Sequence, residues 1–191
     1  MAESKIGRTI VMTFHDKNTT PRSNPFVALA RATIDRYIRE RQVIDVPAGL
    51  PEELTRRRAG AFVTIYKHGN LRGCIGTITP TRPTLADEII SNAIAAATKD
   101  PRFPSIRKDE LSELEISVDV LGEAEEVDSF DVLDPFRYGV IVSRGFRRGL
   151  LLPNLDGIDT VEEQVSIALR KAGIFGGDYK LERFEVTRHT E

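Results

Sequence analysis

The segment Leu71-Arg72-Gly73-Cys74-Ile75-Gly76 contains the residue types of this sequence that are best suited to chemistry. Cys74 is the single cysteine, and Arg72 precedes it by two positions. On a β-strand, both side chains would project from the same face. A guanidinium beside a thiol lowers the pKa of the thiol and favours the thiolate, which attacks electrophiles. The segment therefore predicts Cys74 as a candidate nucleophile that Arg72 activates.

The two glycines of this segment allow a close approach to the backbone. Gly73 and Gly76 would admit a ligand or another stretch of main chain, or would let the chain adopt positive φ, where successive N–H groups converge on an anion. A structural interpretation stays open, because a free cysteine often packs as a small apolar residue and glycines in strands mark bulges or close packing. The glycine spacing fits neither a dinucleotide-binding fingerprint nor a phosphate-binding loop, so no nucleotide cofactor is predicted.

A second arginine, Arg102, lies between two prolines in the stretch Asp100-Pro101-Arg102-Phe103-Pro104. A stiff loop lowers the entropic cost of holding the guanidinium against an anionic group. The alternative is a salt bridge that ties the loop to the domain. Glu88 and Asn92, on a predicted helix, are candidate acid–base or amide groups for the same cleft. We expect one concave site, able to bind a small anionic ligand, that is lined by Arg72, Cys74, Gly76 and Arg102.

The three histidines do not indicate a metal site. His15, His68 and His189 are far apart in the sequence and have no metal-ligand spacing. Their positions on a polar arm, a turn and a tail predict exposed side chains. The sequence therefore predicts no metal ion and no cofactor.

The composition limits the classes of partner. With 191 residues, of which 40% are hydrophobic, the chain can form one substantial domain. The 27 basic and 29 acidic residues give no overall positive field that would attract nucleic acid or an anionic membrane. One cysteine excludes an internal disulfide, and no apolar run approaches the ~20 residues that span a bilayer. We therefore predict a cytoplasmic protein that binds neither nucleic acid nor membrane.

Helix signals occur at three places in the sequence. Asn24 and Pro25 suit the N-cap and first position of a helix over 25–40. Thr84 suits the cap of an alanine-rich helix over 84–99. A third helix is predicted to begin after Thr160 and to end at Gly173.

The strand signals predict antiparallel pairing. Apolar runs on both sides of the turn His68-Gly69-Asn70 predict a β-hairpin over 61–78. Apolar residues alternate with polar ones over 114–120, which predicts a strand with one buried and one solvent-exposed face. A second hairpin is predicted over 138–152 and a final strand over 180–187. These patterns together predict an α+β fold with a central antiparallel sheet flanked by helices.

Four blocks of this sequence resemble the AMMECR domain family, also called protein A of the AmmeMemoRadiSam system. In the order of the family, they are Leu71-Arg72-Gly73-Cys74-Ile75-Gly76, Asp100-Pro101-Arg102-Phe103-Pro104, Gly149-Leu150-Leu151-Leu152-Pro153 and Arg170-Lys171-Ala172-Gly173-Ile174. The resemblance covers a domain over 24–191. Residues 1–23 are predicted to form an N-terminal arm, in which 6–14 could add an edge strand.

The resemblance implies an α+β fold of two unequal lobes and an intracellular protein. It also implies a genomic association with a Memo-like protein and a radical SAM enzyme, although it implies no established reaction. Some relatives carry a second cysteine where this chain has Leu169, which argues against a mechanism that needs two thiols.

Two functional hypotheses follow. In the first, the protein is a cytoplasmic accessory or binding protein that presents a rigid groove around the 71–76 motif to the Memo-like protein, the radical SAM enzyme, or a small anionic ligand. In the second, it is a small-molecule enzyme in which Cys74 is the nucleophile and Arg72 and Arg102 bind an anionic substrate. The sequence lacks a complete set of acid, base and nucleophile, which favours the first hypothesis.

Overall fold

The computed structural model describes residues 24–191. The predicted arm over 1–23, including the strand over 6–14 and His15, lies outside the described residues. Within 24–191, no helix is long and apolar enough to cross a membrane. In chain order, the elements are α1 (Pro25–Glu40), α2 (Glu52–Arg56), β1 (Ala61–Lys67), β2 (Asn70–Gly76), α3 (Leu85–Thr98), β3 (Leu114–Leu121), β4 (Glu125–Glu126), β5 (Gly139–Arg144), β6 (Arg147–Leu151), α4 (Val161–Ala172), β7 (Lys180–Phe184) and β8 (Val186–His189), with 3₁₀ turns at Lys108–Glu113 and Phe130–Val132.

The first lobe contains an antiparallel sheet with strand order β2-β1-β3-β8. Helices α1 and α3 pack on one face of this sheet and bury the apolar side chains of β1 and β3. The side chain of Asn24 accepts a hydrogen bond from the Phe26 N–H, and that of Thr84 accepts one from the Asp87 N–H. These caps satisfy N–H groups that have no partner within the helix. The helices predicted over 25–40 and 84–99 and the hairpin over 61–78 are confirmed.

The second lobe is smaller and contains an antiparallel sheet with strand order β4-β7-β5-β6. Helix α4 covers the β5–β6 hairpin. It begins after Thr160, whose side chain accepts a hydrogen bond from the Glu163 N–H, and ends at Gly173, which has φ of 66°. Both ends of α4 lie where the sequence predicts them, because the cap and the left-handed terminal glycine are local signals.

The two lobes are joined by an apolar cluster and by the course of the chain. The buried side chains of Leu121, Ile141, Leu150 and Phe184 form this cluster. Leu121, at the end of β3, pairs with Val186, at the start of β8, so the chain leaves the first sheet, forms the second lobe and returns beside the strand that it left. The α+β class and the two unequal lobes are confirmed. The strands are divided between two sheets, a division that the sequence patterns do not specify.

Two expectations about exposure are wrong. On the polar side of β3, Glu115 is exposed as predicted, but Ser117 and Asp119 are buried, at 8% and 2% exposed. His189 does not lie free on a tail, because its ring stacks on Phe26 with 3.8 Å between the centroids and its Nδ1 lies 3.1 Å from the Asn24 side-chain nitrogen. Burial lowers the pKa of His189. The alternation of polar residues predicts a strand, but it does not distinguish a solvated polar face from one whose polar groups are paired.

Candidate functional site

Cys74 lies on the face of the first sheet opposite α1 and α3. In the register of the sheet, Thr64 pairs with both Cys74 and Ser117, and Asp119 pairs with Arg188. Because side chains alternate along a strand, these five side chains lie on one face. We call them the Cys74 face. Its side chains are polar and most of them are buried, whereas the opposite face of the same sheet is apolar.

The thiol of Cys74 is held in its neutral form. Its sulfur lies 3.2 Å from the Thr64 hydroxyl oxygen. Burial raises the pKa of Cys74 above its ordinary value, and this effect outweighs the lowering by the Thr64 hydrogen bond and by the positive charge of Arg102. Since the thiolate is the reactive form, the arrangement suppresses nucleophilic reactivity.

Arg72 does not activate the thiol. The register between β1 and β2 shifts after Ile65, which pairs with Gly73, so that Arg72 has no partner across the strand pair. Its Nε and Nη2 each donate to the Glu110 carboxylate at 3.0 Å, and its Nη1 donates to the Pro104 carbonyl at 2.8 Å. The predicted lowering of the thiol pKa by Arg72 is therefore wrong. The guanidinium instead connects β2 to the end of the 100–104 loop and to the 3₁₀ turn at Lys108–Glu113.

Asp100 and Arg102 clamp the backbone at Cys74. Asp100, which is 4% exposed, accepts the Cys74 N–H at 2.9 Å and also the Nε and Nη2 of Arg102 at 2.9 and 2.7 Å. The hydrogen bonds from Arg102 hold the pKa of this carboxyl well below its usual range. Arg102 is thus brought beside Cys74, as the sequence predicts for these two residues, but its charge is paired within its own loop.

Packing accounts for both glycines of the motif. Neither Gly73 nor Gly76 has positive φ. A Cβ atom on Gly73 would lie 2.3 Å from the main-chain oxygen of Ala96 in α3, and one on Gly76 would lie 2.2 Å from the Phe62 ring. Gly73 therefore faces the helix, away from the Cys74 face, and lets α3 approach the sheet.

Glu88 and Asn92 lie on α3 and hold the loop that follows β2. Glu88 is 1% exposed and accepts hydrogen bonds from the side chains of Thr77 and Thr81 and from the N–H groups of Thr81 and Arg82. Burial raises the pKa of Glu88, but the hydrogen bonds outweigh it and the net shift is downward. Asn92 donates to the Ala61 carbonyl at 2.9 Å. The structure gives both side chains internal partners.

The structure adds residues that the sequence analysis does not assign to the site. Arg188 donates to Asp119 through Nε at 2.7 Å and Nη2 at 3.0 Å, which explains why a carboxylate is buried on this face. Lys171, near the end of α4, is close enough for its charge to interact with Cys74 and Arg102, and burial lowers its pKa. No local sequence signal identifies Arg188, and the block that contains Lys171 does not indicate its proximity to Cys74, because each residue reaches Cys74 only through the fold.

The charges of the site largely cancel. Arg102 is paired with Asp100, Arg188 is paired with Asp119, and Arg72 is paired with Glu110. Lys171 makes no ion pair with another residue of 24–191. In the same range, no three histidine, cysteine, aspartate or glutamate side chains are grouped so that they could hold a metal ion. Among residues 24–191, the carboxylates near the thiol, Asp100 and Asp119, are already paired with arginines. The arrangement can therefore bind a partner group by its shape and by the charge of Lys171.

Removal of the Asp100 carboxylate should destabilise the protein measurably. In Asp100→Ala, the Cys74 N–H and the Arg102 guanidinium lose their acceptor, and we expect the free energy of unfolding to fall by about 2 kcal/mol. Asp109→Ala is the matched control, because Asp109 pairs with Arg107 at 2.7 Å while both side chains are exposed. Urea denaturation should show no resolvable change for the control. Equal midpoints for the two variants would contradict the role assigned to Asp100.

The two-lobed α+β fold, with the Cys74 face on its first sheet, defines the class of protein to which this chain belongs. The chain matches the family model described as AMMECR1 over residues 27–191. A protein of Thermotoga maritima is 53% identical over 169 residues, which are 87% of this chain and 97% of the relative. A protein of Clostridium acetobutylicum is 49% identical over 170 residues, which are 88% of this chain and 36% of that relative. This chain belongs to the AMMECR1 family.

A crystal structure supports the same assignment. The uncharacterized protein PH0010 from Pyrococcus horikoshii is similar with a TM-score of 0.77 at 33% identity. The similarity covers 85% of this chain and 88% of that one. It therefore includes the greater part of both lobes.

Proposed function

We propose that this protein is a cytoplasmic binding or accessory protein, and that the Cys74 face and the adjoining Lys171 receive a group of a partner protein or a small anionic ligand. The observation that carries the proposal is the neutral, hydrogen-bonded thiol, whose pKa is raised by burial. A nucleophilic enzyme requires the opposite shift. The backbone at Cys74 is held in place by Asp100 and Arg102, and a fixed backbone suits a site that recognises a shape.

Lys171 gives the proposed site its preference for an anion. The arginines around Cys74 already have carboxylate partners, so an incoming carboxylate or phosphate would pair with the lysine amine. Lys171 is exposed and so can be reached by an anion, and the protein beside it screens charge less than water does. The candidate partners, a Memo-like protein and a radical SAM enzyme, come from the family resemblance.

Alkylation kinetics test the state of Cys74. In the folded protein at pH 7, we expect iodoacetamide to react with Cys74 at least about tenfold more slowly than with free cysteine, because burial and the Thr64 hydrogen bond disfavour the thiolate. Unfolding in guanidinium should restore the rate of a free thiol. Faster reaction in the folded protein than with free cysteine would contradict the neutral thiol on which the proposal rests.

Partner binding provides the second test of the proposal. The tagged protein is purified from its native host, and the co-purifying proteins are quantified for wild type and for Lys171→Met. Arg170→Met is the matched control, because Arg170 is an exposed neighbour on the same helix. Loss of specific partners in Lys171→Met alone supports the proposal, provided that thermal unfolding shows both variants to be folded. If Lys171→Met retains every partner, the proposal that Lys171 helps to bind a partner is wrong.

A small-molecule enzyme is the second candidate function. It is favoured by one observation, namely that the charges of Arg102 and Lys171 both act on Cys74, so an anionic substrate would be drawn toward the thiol. In this alternative, Cys74 is the nucleophile and Arg102, with Arg72 behind it, binds the substrate. Turnover of a compound from a metabolite panel by the purified protein, abolished in Cys74→Ala, would establish the enzyme and replace the binding proposal.

A further inference from the structure

Two large aromatic side chains of the second lobe are exposed at neighbouring turns. Phe146 is 95% exposed at the turn between β5 and β6, next to Gly145, and Phe175 is 77% exposed in the loop that follows α4. Neither side chain belongs to an apolar cluster of the fold. Single exposed apolar side chains are common, but contiguous apolar patches mark contacts with other molecules.

Two arginines hold these turns side by side. The Arg144 guanidinium donates to the Gly176 carbonyl, and Arg147 Nη1 donates to the Gly173 carbonyl at 2.7 Å. Since Phe146 lies between the two arginines in the chain and Phe175 lies between the two glycines, the two exposed rings belong to adjacent turns. We call Arg144, Phe146, Arg147 and Phe175 the Phe146–Phe175 surface.

The two arginines of this surface have no carboxylate partner in the part of the chain that the structure describes. Among residues 24–191, neither makes a salt bridge, whereas the nearby Arg148 lies 3.7 Å from Glu182 and Lys180 lies 3.3 Å from the same glutamate. A guanidinium has five N–H donors, so the bonds to the main-chain carbonyls leave most of them available. The surface therefore combines two aromatic rings with two cations that lack a carboxylate.

We propose that the Phe146–Phe175 surface docks an acidic, apolar segment of a partner protein. Carboxylates of the segment would pair with Arg144 and Arg147, and its apolar side chains would cover the two rings. Phenylalanine and arginine are enriched in protein interfaces, and arginine pairs with carboxylates in two-point geometry. The inference deepens the proposed function by naming the chemistry of the partner, and it rests on that function. The same end of α4 carries Lys171, so a docked partner would lie beside the Cys74 face.

The number of charges favours a protein over a nucleic acid or a membrane. Electrostatic binding to anionic lipid typically uses clusters of about 4–8 basic residues, and specific binding to DNA neutralises about 6–10 phosphates. This surface offers two arginines, and Arg170 and Lys171 in the last turn of α4 raise the number of nearby cations only to the lower limit of the lipid range, in a protein with a formal net charge of -2. Two cations suit a short segment with a few carboxylates.

A designed peptide tests the surface directly. The probe is a fluorescein-labelled 12-residue peptide that alternates glutamate and leucine, and its binding to the full chain is measured by fluorescence anisotropy. Matched peptides carry glutamine in place of glutamate, or serine in place of leucine. We expect saturable binding of the first peptide only, weakened by salt, and at least about tenfold weaker binding in Phe146→Ser/Phe175→Ser and in Arg144→Gln/Arg147→Gln.

Three variants serve as controls. Phe136→Ser removes an exposed phenylalanine that precedes the start of β5, at the end of the strand opposite the turn, and should bind as wild type does. Val43→Ser and Arg107→Ala remove an exposed apolar side chain and an exposed cation of the first lobe, and both should also leave peptide binding unchanged. If the surface variants lose both peptide binding and the native partners, and Lys171→Met also loses the native partners, both ideas stand. If Lys171→Met loses its native partners and the surface variants bind peptide normally, the proposed function stands and this inference fails.

Other results would overturn the inference outright. They are the absence of saturable peptide binding at millimolar concentration, equal binding by all variants, and tighter binding of a single-stranded oligonucleotide or of phosphatidylserine vesicles than of the acidic peptide. Thermal unfolding of each variant shows that the exposed substitutions leave the fold intact.

Discussion

Replacing Gly73 with alanine is expected to lower the free energy of unfolding by about 3 kcal/mol or more. The added Cβ would lie 2.3 Å from the Ala96 carbonyl oxygen. This oxygen belongs to the main chain of α3, which cannot rotate away as a side chain can. The helix and the sheet must therefore separate, and the close packing of the first lobe is lost.

The comparison with Leu71→Ala isolates the effect of this contact. Leu71 lies on the same strand and is 38% exposed, so its truncation should cost well under about 1 kcal/mol. Chemical denaturation of both variants provides the measurement. If Gly73→Ala retains wild-type stability but loses a ligand or partner, the glycine exists for close approach of another molecule, and the packing interpretation is wrong.

Arg72→Ala is expected to cost about 3 kcal/mol at neutral pH. The Arg72 and Glu110 side chains are 14% and 10% exposed and their closest atoms lie 3.0 Å apart. Removal of the guanidinium leaves a mostly buried carboxylate with its weaker neighbour Lys67, which lies at 3.6 Å. Arg72→Lys should recover only part of the loss, because an ammonium cannot reproduce the two parallel hydrogen bonds.

The pH dependence of stability tests the same pair. The hydrogen bonds from Arg72 lower the pKa of Glu110 from 4.5 to about 2. A carboxyl whose pKa is lower in the folded state contributes stability that is full above the unfolded pKa and is lost as the pH falls through the folded pKa. Wild type should therefore lose about 3 kcal/mol from this group between pH ~5 and ~2, and Glu110→Gln should lack that part of the slope.

An exposed arginine provides the control for this experiment. Arg107 pairs with Asp109 and its side chain is 71% exposed, so Arg107→Ala should leave both the stability at neutral pH and the acid slope of wild type nearly unchanged. A parallel slope for wild type and Glu110→Gln would show that the ion pair with Arg72 does not couple to folding.

Local signals in the sequence specify much of the fold. Asn24, Thr84 and Thr160 cap their helices because a short polar side chain before an apolar repeat can satisfy free N–H groups without any tertiary contact. The turn His68-Gly69-Asn70 forms because both His68 and Gly69 adopt positive φ, of 52° and 74°. Such features depend on a few neighbouring residues, so they are predictable from one sequence.

The site is less predictable because its contacts are long-range. Cys74 and Arg102 are close together, as the motifs indicate. The partner of Arg72 is a glutamate 38 positions away, and the bulge that redirects Arg72 follows from the pairing of β1 with β2. Asp119 has the sequence signature of an exposed strand residue, and only Arg188 on β8 makes its burial tolerable. The approach of Lys171 likewise depends on the placement of the second lobe.

The pairing of Leu121 with Val186 means that the second lobe is inserted between two neighbouring strands of the first sheet. The lobe is the connection of a two-stranded hairpin, expanded into a folded unit of its own, and the first lobe is continuous in space although it is interrupted in sequence. The entropic cost of closing so long a connection grows only with the logarithm of its length. If residues 122–185 fold early, they shorten the connection and bring the ends of β3 and β8 together. Formation of the β3–β8 ladder would then depend on the folding of the second lobe.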